Sequence, residues 1–248
     1  MNVYEINDKF KNHILLREKN EGDAAALVGK VAMLLFFVND KISRWDASAQ
    51  QKFSKTHGSA MKRVTEIAKE FSISVTIDTF VEEVTVPFAI GIDFKADDST
   101  EWINQIMSKY SKKFFKGYRK HYKETLGYDQ IAVAFVFNRD FRAFAHQAVG
   151  VVDTEYSVLD ATASEETIVH ELCHQFGAED IYILENCMES VRKLKYTSVM
   201  AYKGGIYFDS LTAYVIGWCK EIDESAVALL EATKHLKYKD ILKFKERS

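Results

Sequence analysis

The longest uninterrupted apolar run in the chain, Val31–Val38, is eight residues long. A helix needs roughly 20 apolar residues to cross a bilayer, so this run does not span one. Its length and its content of valine and phenylalanine are those of a buried strand, which must be covered by other layers of structure. The remaining pattern supplies them. Ala60, Val64, Ile67, Ala68 and Phe71 recur at helical spacing from Ser59 onward, and Ile73, Val75 and Ile77 then alternate with polar residues as in a half-buried strand. Val84–Phe94 reads as a further β-like stretch, with Pro87 and Gly91 marking an edge or bulge.

Farther along, Asp98 and Glu101 make a capping box ahead of a helical stripe of Trp102, Ile106 and Tyr110. Ile131–Phe137 is another strong strand, and Phe141–Leu159 reads as short strands broken at Gly150 and Asp153. After an irregular stretch, Leu211, Tyr214, Val215 and Trp218 mark a helix begun by Asp209 or Ser210, and Ala226, Leu229 and Leu230 mark one more. Residues 1–28 carry one weak signal, a short helix around Asp23–Leu27. The order of elements predicts an α/β or α+β sheet layered with helices.

A single proline and the lack of repeats or low-complexity tracts leave one compact unit, 1–248, as the expectation. The net charge of −3 excludes a protein whose whole surface is built for nucleic acid. The opening residues lack the basic and apolar regions of a Sec-type signal peptide, and Cys173, Cys187 and Cys219 are odd in number and widely spaced. Both features fit reduced thiols in a cytoplasmic setting, with no transmembrane segment.

The chemistry is concentrated in T-I-V-H-E-L-C-H-Q-F-G-A-E-D, beginning at Thr167. His170 and His174 stand four residues apart, so on a helix both imidazoles project from one face and can reach one Zn²⁺. Glu171 comes next round the helix, where it can address a metal-bound water without ligating the metal. Thr162 with Glu165 fits a capping box, while Val169, Leu172, Cys173 and Phe176 form the stripe that faces the core. Gly177 suits a left-handed helix end, and Asp180, just beyond it, is placed to be a third ligand. Glu185 and Glu189 are the downstream alternatives for that ligand. Cys173 falls on the apolar stripe as an inert thiol, Cys187 lies seven residues beyond Asp180, and His146 is read as structural or solvated.

The extended pattern His170-Glu171-x-x-His174-x-x-Gly177-x-x-Asp180 resembles the signature of metzincin metallopeptidases, with Asp where most members carry a third His. Ser198-Val199-Met200-Ala201-Tyr202 resembles the family's Met-turn more closely than the surroundings of Met188 do. The motif-level likeness covers about residues 162–218. It implies a twisted mixed sheet layered with helices, an active-site helix, a Met-turn and C-terminal helices. The N-terminal sheet-and-helix subdomain would be about 1–177 and the smaller C-terminal one about 178–248. It also implies a zinc peptidase acting on peptide or protein substrates. His170, His174 and Asp180 would hold the metal, Glu171 would be the general base, Met200 would floor the site, and Tyr202 would approach the metal as in astacin-like and serralysin-like members.

One segment points elsewhere. Lys109–Lys123 holds seven basic residues and no acid, interleaved with Phe114, Phe115, Tyr118 and Tyr122. A zinc-containing binding module that contacts nucleic acid through this stretch is the alternative; a helix with an aromatic core face and a solvated lysine face is the simpler reading.

Overall fold

A computed structural model of the chain describes residues 2–6, 9–17, 19–20, 22, 24–92, 102–103, 106, 117, 119–146, 155–201 and 205–245. Its strands are β1 (Val3–Glu5), β2 (Gly29–Asn39), β3 (Val75–Thr85), β4 (Gln130–Phe137), β5 (Phe144–His146), β6 (Tyr156–Asp160) and β7 (Glu221–Asp223). Its helices are α1 (Ala47–Glu70), α2 (Glu165–Gln175), α3 (Ile181–Cys187), α4 (Glu189–Arg192), α5 (Ser210–Val215), α6 (Glu224–Thr233) and α7 (Tyr238–Lys245).

The apolar run anchors everything. β2 lies inside a five-stranded mixed sheet of order β3-β2-β4-β6-β5, in which only β5 runs antiparallel to its neighbour. Both faces of β2 are buried, which is why its sequence does not alternate. Val31, Met33, Leu35 and Phe37 enter the core shared with α1 and α2. Ala32, Leu34, Phe36 and Val38 enter a second core with Trp102, Ile103, Ile106 and Tyr122. Each large side chain so buried contributes about 1.5–3 kcal/mol, and β2 carries them on both sides. The architecture is therefore α+β, a mixed sheet with helices packed upon it.

Several expectations are corrected. α1 begins at Ala47, not near Ser59, because Asp46 caps it by accepting from Ala49 N at 2.8 Å; its first half is mostly polar and buries only Phe53 and His57. Val84 and Thr85 do not open a new strand. They complete β3, which pairs with β2 along its whole length until Val86 N donates to Asn39 O and Pro87, lacking an N–H, ends the ladder. The stretch after Gly177 is less irregular than predicted, since α3 and α4 occupy it. No helix forms at Ala24–Leu27; the chain there is irregular, and Leu27 bonds Ile216 and Trp218 instead.

That last contact bears on the division at residue 177. β1 pairs with β7, His13 Nε2 lies 3.1 Å from Leu230 O, and Trp218 Nε1 donates to Leu27 O. Described residues of the first 28 thus contact the C-terminal part. The capping box at Asp98, most of 109–123 and the break at Gly150 and Asp153 lie outside the described residues. Within 109–123, Tyr122 is buried against Phe80 and Tyr128, with its face to the core. Among the described residues no helix is long and apolar enough to cross a membrane.

Candidate metal centre

α2 is capped by Ser164, whose side chain accepts from Thr167 N at 3.1 Å. The cap predicted at Thr162 does not form, because that residue is folded back onto Asp160, its N–H bonding Oδ1 at 2.7 Å. Ile168, Val169, Leu172, Cys173 and Phe176 face the core. Gln175 pins the helix to the sheet. Its Oε1 accepts from Val133 N at 2.8 Å and its Nε2 donates to Ser157 Oγ at 3.1 Å. Val133 lies just ahead of the point where β4 begins to pair with β6, so Gln175 satisfies an N–H that lacks a strand partner.

The helix ends in a left-handed Gly177, φ +91°. Gly177 N bonds His174 O, and Ala178 N reaches back to Cys173 O at 3.0 Å, the paired bonds of a Schellman turn. This turn delivers two groups. Ala178 O is presented to His174 Nδ1 at 2.7 Å, and Asp180 is brought round to the histidines. His170 Nδ1 lies 2.8 Å from a more distant carbonyl, Val199 O.

A carbonyl oxygen only accepts, so each Nδ1 carries a hydrogen and each neutral ring exposes a lone pair at Nε2. Those two Nε2 atoms lie 3.1 Å apart, and Asp180 Oδ1 lies 3.2 Å from one and 3.0 Å from the other. Asp180 Oδ1 is buried and has no hydrogen-bond partner among the described residues. Three electron pairs converging on one point repel unless a cation lies among them. Tetrahedral bonds of about 2.0–2.1 Å separate their ligands by roughly 3.3–3.4 Å, close to the spacing seen. His170, His174 and Asp180 therefore fit a metal ion by donor type and by distance.

The electrostatics point the same way. Burial by itself would lower the pKa of His170, but the Asp180 carboxylate, with Glu171 behind it, brings it up to about 9. Burial would raise Asp180, yet the charges of His174 and His170 hold it well below the usual carboxylate range. The cluster draws positive charge to itself. Glu171 is also buried, its pKa pushed up by burial against the pull of the histidines, and Oε2 has no hydrogen-bond partner among the described residues.

The turn at 198–200 bonds both segments that supply the cluster. Its Val199 O holds His170, and its Met200 O accepts from Ile181 N at 2.8 Å and Tyr182 N at 3.0 Å, fixing the start of α3 just after Asp180. Met200 is fully buried. The turn is itself held from below: Met200 N donates to Ser198 Oγ, which pairs with Thr212 Oγ1 at 3.0 Å. Thr212 and Tyr196 both donate to the buried carboxylate of Asp209, which also accepts from Leu211 N and Thr212 N to cap α5.

No protein-family model matches this chain. No curated protein matches it either. Among solved structures, the chain is similar to one described as "Structure of a chaperone-substrate complex", at 13% identity and a TM-score of 0.39. The likeness covers 84% of this chain and 35% of that one, so the chain spans about a third of its length.

The remaining candidates among the described residues are dispersed. Tyr202 lies outside the described residues. Glu185 is on α3, and Glu189 is on α4 in an exposed ion pair with Lys193 at 2.8 Å; neither joins the cluster. Cys173 is buried, its thiol pushed up by burial, while Cys187 is exposed. His146, on β5, stacks on Tyr156 with ring centroids 5.3 Å apart. Tyr182, unforeseen from the sequence, stands beside His170, and Arg142, equally unforeseen, stands against Tyr182. Tyr182 tilts its ring against His170 at 5.9 Å, and its hydroxyl accepts from Arg142 at 2.6 Å. Burial, then the nearby Asp180 charge, pushes the Tyr182 pKa up to about 12.

Proposed function

We propose that the chain is a zinc-dependent peptidase of metzincin type. The observation that carries this reading is the convergence of His170 Nε2, His174 Nε2 and Asp180 Oδ1 within 3.0–3.2 Å, with Glu171 Oε2 buried in the same site and without a hydrogen-bond partner among the described residues. Two imidazoles and one carboxylate suit zinc, and three protein ligands leave a fourth position for water. A bound zinc ion would act there as a Lewis acid, polarising a carbonyl and easing deprotonation of water. A mixed sheet ending in an antiparallel edge strand, the ligand-bearing helix and the buried Met200 turn support the metzincin reading.

The chain's own residues perform the proton work. Glu171, raised in pKa by burial and left with a vacant oxygen, accepts a proton from the attacking water. It then returns the proton to the departing amine nitrogen. Ala178 O and Val199 O keep both rings in the tautomer whose Nε2 can ligate. Among the described residues β5 is the edge strand of the sheet and lies near α2, where an extended peptide would add as a further strand.

The test pairs metal analysis with activity. The purified protein is expected to bind about one zinc ion per chain, and Glu171→Gln to keep it while peptidase activity on a broad peptide library drops about 10²-fold or more. Failure to take up zinc would refute the reading. Zinc uptake without cleavage, together with salt-sensitive RNA or DNA binding, would favour the binding-module alternative.

A further inference from the structure

Tyr182 enters the site by a different route from the phenol the motif resemblance singles out. It follows Asp180 by two residues, and its N–H is tied to Met200 O at 3.0 Å. Its position is therefore fixed by the same turn that fixes the ligands. Its ring lies against that of His170, centroids 5.9 Å apart, and it is half-buried, between the cluster and solvent.

The hydrogen-bond direction at its hydroxyl carries the argument. Arg142, on the loop leading into β5, donates from its guanidinium to the Tyr182 oxygen at 2.6 Å. A guanidinium has no acceptor, so this bond can run in only one sense. The phenolic hydrogen, retained at neutral pH, is thus not used on Arg142 and must point to another acceptor. A cation donating to a phenol oxygen also makes its O–H a stronger donor. The acceptors that appear during amide hydrolysis at this site are the oxygens of the tetrahedral carbon, one of which gains charge as the water adds.

We propose that Tyr182 donates its phenolic hydrogen bond to the oxyanion formed at the metal site, with Arg142 as the positioning residue that holds and polarises it. The bond stabilises developing charge, and no proton changes owner. This inference rests on the metallopeptidase reading. The bland alternative is a purely structural link that ties the β5 loop to α3.

Two ligands separate these outcomes in the zinc-loaded protein. A phosphinic dipeptide isostere carries two tetrahedral oxygens and so mimics the oxyanion, whereas a mercaptoacyl dipeptide binds metal through a single sulfur. Tyr182→Phe is expected to weaken the phosphinate about 10²-fold while leaving thiol affinity and zinc content unchanged. Arg142→Met should weaken the phosphinate about tenfold in the same selective way. Equal phosphinate affinity in Tyr182→Phe and the parent would overturn the proposal, and so would parallel losses for both ligands or loss of zinc. If the parent protein takes up no zinc, or takes it up and binds neither ligand, the metallopeptidase reading itself falls and this inference falls with it. If the parent binds both ligands and Tyr182→Phe does not discriminate between them, only this inference falls.

Discussion

The two histidines of the cluster are oriented by carbonyls that reach them along unlike routes. His174 meets Ala178 O, four residues onward in the same helix-ending turn. His170 meets Val199 O, 29 residues away on a turn that belongs to the C-terminal part. The first partnership forms as soon as α2 closes its Schellman turn, and it needs only a glycine able to adopt φ +91°. The second needs the turn at 198–200 to be held at a set height beneath the helix. A buried chain of hydroxyls ending at Asp209 holds it there. One half of the site is thus stabilised locally, and the other depends on a polar network that exists only in the folded protein.

The sharpest way to break this comparison is to remove Asp209. Asp209→Ala leaves the Tyr196 and Thr212 hydroxyls and two backbone N–H groups without their acceptor, at a cost of about 3–5 kcal/mol in chemical denaturation. The metal affinity proposed for the cluster should fall as well, by roughly 10–100-fold in competition with a chelator, because the carbonyl that orients His170 loses its support. A variant with parental stability and affinity would show that the His170 side needs no such network.

The helix layer has its own weak point, in acid. His57 is buried on α1, which packs against α2, and its Nε2 has no hydrogen-bond partner among the described residues. Burial lowers its pKa from 6.5 to about 4. The unfolded chain therefore binds a proton that the native state refuses. The contribution of neutral His57 is full above pH 6.5 and is lost as the pH falls toward about 4, a loss of about 3 kcal/mol. Denaturation curves across that window should flatten in His57→Gln. An unchanged slope in the variant would mean that other groups carry the acid sensitivity.

The smallest effect sharpens the local side. Ser164→Ala removes the cap of α2 and should cost about 1 kcal/mol in thermal unfolding, while leaving metal affinity untouched. His170 and His174 lie beyond the first turn, where the ladder and Gln175 already hold the helix. A loss of metal affinity in this variant would show that the helix start is coupled to the site.

How far the site could be read from the sequence follows the same division. The helix of His170 and His174 was legible because its features all fall within about ten residues: the spacing of the two histidines, the apolar stripe and Gly177. β2 was legible from its unbroken apolar run, and β4 from a similar one. The ends of elements were less so. Ser164 outcompeted Thr162 as a cap because Asp160 had already engaged the latter, and β3 outran its alternating segment because β2 offered eleven residues to pair with. Gln175 and Tyr182 occupy positions that no motif specifies. Gln175 directly follows His174 on a helix whose buried positions outside the metal cluster and Glu171 are otherwise apolar, which was the one available signal. Arg142 had none.

By itself, the sequence determined that two imidazoles would share a helix face and that the chain would turn back at Gly177 with Asp180 just beyond. These are consequences of helical period and of glycine's freedom at positive φ, both properties of contiguous residues. Only the tertiary structure decided which carbonyl would hold His170, which carboxylate would hold the turn beneath it, and which phenol would stand beside it. Those partners act through individual hydrogen bonds or a ring contact between segments that no helical or strand period relates. A bond of that kind leaves no periodic trace in the sequence, because it constrains one atom at each end and nothing between.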